Sequence, residues 1–183
     1  MFVQEPRALE DIATALRDVG RLTGNAASGE QRARRFLRDL RRLRQTYSAL
    51  APVSVYYQIW DEPLLTLNDE HIISDVIRLC GGRNVFGEAI PLVSRINVES
   101  VIRADPDVIV ASGMDEARPE WLDEWRQWRS MRAVEHEQLY FVPPDILQRH
   151  TPRLLEGATR LCAHLDRARR FYAGSADKTA SAP

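Results

Sequence analysis

A chain of 183 residues with 44% hydrophobic and 28% charged content has the profile of one globular domain with some length to spare, which excludes a disordered or collagen-like chain. Its 25 basic and 26 acidic residues leave a net charge of -1, so there is no general attraction to nucleic acid or anionic lipid. No apolar run approaches the ~20 residues a membrane span needs, and Met1 to Gly20 carries acids and arginines where a secretory signal has its apolar core, so no signal peptide and no membrane insertion are expected of this chain.

Ten of the 25 basic residues fall in the first fifty positions, against six acids, and they follow helical patterns. Leu9, Ile12, Leu16 and Val19 recur at three- and four-residue steps, which predicts an amphipathic helix stopping near Gly20 or Gly24. Ser28, with Gln31 three residues on, is the expected N-cap of a second helix whose apolar face runs through Phe36, Leu37, Leu40 and Leu43 towards Leu50. At 1.5 Å per residue that helix spans roughly 33 Å, the length of a strut. Arg34, Arg35, Arg38, Arg41, Arg42 and Arg44 cover its other faces, but no aromatic residues interleave with them, and no nucleic-acid partner is expected.

After Pro52 the period changes to two. Val53, Val55, Tyr57 and Ile59 alternate with Ser54, Tyr56 and Gln58, which predicts a strand with one buried and one partly covered face. Trp60-Asp61-Glu62-Pro63 is a turn, and a helix follows from Ile72 to Cys80, closed by Gly81-Gly82. Asn97 is the expected cap of a short helix through Val101 and Ile102, ended by Asp105-Pro106-Asp107. The apolar run Val108 to Ala111 is typical of a parallel strand covered on both faces. Pro119 to Trp128 predicts a helix in which Trp121, Trp125 and Trp128 share a packing face, and Leu139 to Val142 a third strand. Pro152 opens a long helix to Tyr172, and 173–183 is expected to be a disordered tail. The alternation predicts an α/β fold, a single Rossmann-like lobe with a small parallel sheet flanked by helices and preceded by a long connecting helix. In such a sheet Trp60-Asp61-Glu62, Ser112-Gly113-Met114 and Pro143-Pro144-Asp145 share the rim beyond the carboxyl ends of the strands, where ligands sit.

Several stretches carry a resemblance. Gln58-Ile59-Trp60-Asp61-Glu62-Pro63-Leu64 with Thr66, Leu79-Cys80-Gly81-Gly82-Arg83-Asn84-Val85-Phe86, and Val98-Glu99-Ser100-Val101 before Asp105-Pro106-Asp107-Val108-Ile109-Val110 resemble the C-terminal lobe of the helical-backbone substrate-binding proteins of ABC importers. Asp145 and Arg149, followed by Thr151-Pro152-Arg153, resemble the cobalamin-binding branch. The resemblance implies a two-lobed parent in which 1–25 is a remnant of the N-terminal lobe, 26–51 the connecting helix and 52–172 the ligand-binding lobe. It implies a periplasmic, non-enzymatic role: binding cobalamin or a related corrinoid as transported ligand, with no cofactor, and delivering it to a permease. A ferric siderophore or haem is the alternative ligand, and an interaction module outside transport the alternative role.

The resemblance also assigns residues. Trp60 and Asp61 fall beside an aromatic ligand contact, and Asp145 and Arg149, four apart, either pair with each other or splay towards corrin amides. A second aromatic of some relatives is replaced in the neighbourhood of Leu92, Val93 and Arg95. Glu99 matches a glutamate offered to arginines of the permease, a rim charge suited to steering an encounter. Cys80 and Cys162 match two positions that can be disulfide-linked in cobalamin-binding relatives, a bond worth up to ~4 kcal/mol by loop closure, the alternative being two buried thiols. His71, His136, His150 and His164 are scattered without metal-ligand spacing, so no metal site is expected, and no nucleophile elbow or phosphate loop supports catalysis.

Overall fold

The structure is a computed structural model that describes residues 6–113 and 116–180. The rim residue Met114 and the end of the expected tail, 181–183, lie outside the described residues. Two helices come first, α1 (Leu9–Leu22) and α2 (Ala26–Tyr47). Then follow β1 (Val53–Gln58), β2 (Leu65–Leu67), α3 (Ile72–Leu79), β3 (Gly82–Asn84), β4 (Val93–Arg95), α4 (Val98–Ala104) and β5 (Val108–Ala111). A 3-10 helix (Glu120–Gln127), α5 (Arg132–Glu135), β6 (Leu139–Phe141), α6 (Pro144–Leu147) and α7 (Leu154–Ala180) complete the order.

Strands β3, β1, β5 and β6 form one parallel sheet in that spatial order, with Tyr56 opposite Ile109 and Ile109 opposite Leu139. The period of two along β1 sends Val53, Val55 and Tyr57 into a core shared with α1, α2, α3, α6 and α7. Tyr56 goes to the opposite face, among Val101, Ile109, Leu122, Trp125 and Met131. Both faces are therefore covered: Tyr56 and Gln58 are as buried as the valines, and the partly covered face expected from the sequence is closed by the Trp125 helix and α4.

The helical hairpin at the start is closer than a strut. Gly20 and Gly29 face each other across it, and a Cβ on Gly29 would sit 2.7 Å from the Leu16 carbonyl oxygen and 3.0 Å from Gly20 Cα. Gly24 takes a φ of +72° in the turn, which starts α2 at Ala26 and leaves Ser28 inside the helix instead of capping it. Ala33, Phe36 and Leu40 are buried, whereas Val19, expected on the apolar face of α1, is 51% exposed because that face is spent at Leu9, Ile12 and Ala13.

Two further expectations are corrected. Gly81, at φ +70°, alone ends α3, and Gly82 opens β3, where a Cβ would meet Ile77 and Leu165 at 2.8 Å. The tail expected to be disordered from residue 173 continues α7 through Ala180, consistent with alanines at 173, 176 and 180 favouring helix over coil. Strands β2 and β4, which pair antiparallel beside the main sheet, have no counterpart in the sequence reading. The Cys80–Cys162 disulfide joins the end of α3 to α7. Among the described residues no helix is long and apolar enough to cross a membrane.

Candidate functional site

Because β1, β5 and β6 run parallel, their carboxyl ends lie on one edge, and the loops after them form the rim. After β1 the chain folds back sharply: Ile59 N–H donates to the Leu65 carbonyl at 2.9 Å and Leu65 N–H to the Trp60 carbonyl at 3.1 Å. The bulge between them carries Trp60, Asp61 and Glu62 outward, with a cis Glu62-Pro63 bond. The Trp60 indole N–H donates to the Glu62 carbonyl at 2.9 Å, which fixes the ring in its own turn. Trp60 and Asp61 meet Gly113, Arg118 and Trp121 around an open cavity of about 420 Å3. The loop after β1 and the loop after β5 thus come together as the topology requires.

The third segment is α6. Gln148 donates from Nε2 to the Ser112 carbonyl, and to the Gly113 carbonyl at 3.3 Å, binding the end of α6 to the end of β5. Asp145 N–H donates to Glu116 at 3.2 Å. Of the two arrangements left open for Asp145 and Arg149, the structure has the pair: Arg149 lies 3.1 Å from Asp145 Oδ1, and Arg153 bonds Oδ2. Asp145 is therefore occupied by two arginines, and Arg153 also lies 4.0 Å from Glu156. Arg118 is engaged too; with Arg126 it holds the Asp123 carboxyl down at about 2.

Asp61, Glu62, Glu99 and Glu124, by contrast, have no cationic partner among the described residues. Glu99 is exposed in the first turn of α4 and lines, with Asp61, Glu62, Leu64 and Arg95, a shallow hollow of about 550 Å3. The Asn97 side chain accepts the Ser100 N–H at 2.9 Å, as expected of a cap. Ile90, Leu92 and Val93 are exposed at 96%, 37% and 44%, an aliphatic edge where the sequence reading placed the missing aromatic.

Two polar residues carry more of this geometry than the sequence reading assigned them. Gln58, 1% exposed at the carboxyl end of β1, accepts the Trp125 indole N–H at 2.7 Å. Gln148 closes α6 onto β5 as described. For Gln58 the available signal was an amide in a largely apolar strand, since a buried amide is retained only where it finds partners. Among the histidines, His71 caps α3 by accepting the Ile73 N–H at 3.2 Å, and its ring meets His150 edge-on at 6.1 Å. Among the described residues no group of three or more His, Cys, Asp or Glu side chains is arranged to hold a metal ion.

A family model described as periplasmic binding protein matches residues 1–146. A vitamin B12-binding protein of Vibrio cholerae is 29% identical over 166 residues, covering 90% of this chain and 59% of that protein. The crystal structure of the periplasmic vitamin B12 binding protein BtuF of Vibrio cholerae superposes with a TM-score of 0.82 at 28% identity, over 92% of this chain and 65% of its own. The periplasmic heme-binding protein RhuT from Roseiflexus sp. RS-1 shares the fold, with a TM-score of 0.77 at 18% identity over 90% of this chain and 65% of its own. The chain thus spans about three-fifths of the length of the curated relatives it matches.

Proposed function

Because the chain belongs to the periplasmic binding protein family, we propose that it contributes the ligand-holding rim of an ABC-importer binding protein that takes cobalamin or a related corrinoid to a permease. The observation that carries this reading is the likeness to vitamin B12-binding proteins over 90% of the chain. The rim is consistent with it. Trp60 offers a flat amphipathic ring above an open cavity, Arg149 and Arg153 offer N–H donors, and Ile90, Leu92 and Val93 offer an aliphatic edge. The role is binding, not catalysis, and the setting is the periplasm.

Charge favours a corrinoid over haem or an anionic ferric siderophore. Corrin side chains end in neutral amides, whereas haem brings two propionates towards Asp61, Glu62 and Glu99, which have no cationic partner among the described residues. On this reading residues 26–51 are the connecting helix, 1–25 belong with a second lobe and 52–172 hold the ligand. Glu99 meets an arginine of the permease. A single lobe supplies only part of the desolvated contact surface, so its affinity is low.

Calorimetric titration of the chain with cyanocobalamin, haem and an anionic ferric catecholate tests the assignment. Weak corrinoid binding that exceeds both others, and that falls on Trp60→Ala, is the expected result. Binding of haem or the iron chelate in preference to corrinoid overturns the ligand, and submicromolar corrinoid binding overturns the need for a second lobe.

A further inference from the structure

A smaller cavity on the same rim calls for different chemistry. It measures about 190 Å3 and is walled by three indoles, Trp121, Trp125 and Trp128, with the carboxylates Asp61, Glu62 and Glu124 around it. Among the described residues, no lysine or arginine lines it. None of the three carboxylates has a cationic partner among the described residues. The arginines of the adjoining segment are engaged elsewhere, since Arg118 and Arg126 both close on Asp123. The walls are held in place: Trp125 donates its indole N–H to buried Gln58 at 2.7 Å and packs edge-on against Tyr56 at 5.7 Å. Trp128 is 38% exposed, a large ring facing solvent where core packing does not require it.

Negative charge beside indole faces selects an organic cation, because both the carboxylates and the ring quadrupole attract it. We infer that this cavity binds a guanidinium group. A planar guanidinium stacks on an indole while its forked N–H donors reach carboxylates, which a compact ammonium cannot do at the same time. The volume suits one such group on a short stem and is far too small for a macrocycle. The hollow beside Glu99 shares Asp61, Glu62, Leu64 and Val98 with the cavity, so the remainder of a larger molecule has somewhere to lie. The same chemistry can therefore arrive as a free guanidino compound or as an arginine side chain of a partner protein. Neither depends on what the Trp60 cavity holds.

The test is titration of the 183-residue chain at low ionic strength with N-acetyl-arginine amide, followed by tryptophan fluorescence and by ligand-observed NMR, with tetramethylammonium chloride and sodium chloride as references. A saturable response with half-saturation at roughly 1–10 mM is expected. Glu124→Gln, an exposed substitution, should weaken it about fivefold by removing a charge-assisted contact. Trp128→Ala should weaken it in the NMR measurement, which does not depend on that indole as reporter. A response that stays linear like that of sodium chloride, that is equally strong with tetramethylammonium, or that is unchanged in Glu124→Gln overturns the inference. An acetylated and amidated Gly-Gly-Arg-Gly-Gly peptide separates the sources. Binding at least threefold tighter than the amide assigns the cavity to a partner's arginine, and equal or weaker binding assigns it to a free guanidino compound.

Discussion

At the scale of single residues, the polar groups buried near the rim set its shape. Asn84 donates to the Leu67 carbonyl at 2.8 Å and to Ser74 Oγ at 3.0 Å, and accepts the Phe86 N–H at 3.0 Å, so one amide ties β3 to β2 and α3. His71 does comparable work at the start of α3 and has a pH consequence. Burial, with the nearby His150, pushes its imidazole down to about 4, and burial also lowers His150 and His164. The unfolded chain, with histidines near 6.5, then binds more protons than the folded one, so stability is lost as pH falls from about 6.5 through 4. The carboxyls of Glu30 and Asp123, held down at about 2 by their arginines, lose their share only at lower pH. Thermal melts between pH 7.5 and 4.5 should show this loss, and His71→Asn, which keeps a capping acceptor, should flatten it. An unchanged slope would remove His71 from the account.

At the scale of elements, the α1–α2 hairpin depends on two glycines in contact. Gly29 permits the approach because the nearest atoms to any added Cβ are backbone, which cannot swing aside. Gly29→Ala is therefore expected to destabilise by about 1–3 kcal/mol despite its better helix propensity. Val19→Ala, on an exposed face of the same hairpin, should stay within about 0.5 kcal/mol. Urea unfolding of the two variants side by side checks the pair, and an unaffected Gly29→Ala protein would mean that α1 can shift outward at no cost.

For the whole molecule, the Cys80–Cys162 bond closes a loop of 82 residues that contains most of the sheet. It ties α3 to the helix that packs across that sheet face. By loop-closure entropy it is worth on the order of 4 kcal/mol, and it persists only in an oxidising compartment, which agrees with a periplasmic setting. Denaturation with and without dithiothreitol should show a lower midpoint in the reduced protein. Equal midpoints would mean that packing of the buried Cys80 and Cys162 side chains suffices without the covalent link.

Local pattern was enough to read the order of helices and parallel strands, because periods of two and 3.6 and the glycine and proline punctuation are properties of neighbouring residues. The residues of the resemblance named the rim segments for the same reason: Trp60, Asp61 and Asp145 follow strands whose direction the α/β alternation implies. What the periodicity could not supply were the long-range choices. The β2–β4 pairing, the covering of Tyr56 and Gln58 by the Trp125 helix, and the contact of Gly20 with Gly29 each depend on segments meeting in space. So does the division of the rim's charges into those already neutralised, Asp145 by Arg149 and Arg153, Asp123 by Arg118 and Arg126, and those without a cationic partner among the described residues, Asp61, Glu62, Glu99 and Glu124. A sequence determines which charges exist and on which element they ride; only tertiary structure decides which of them find a partner within a few ångströms.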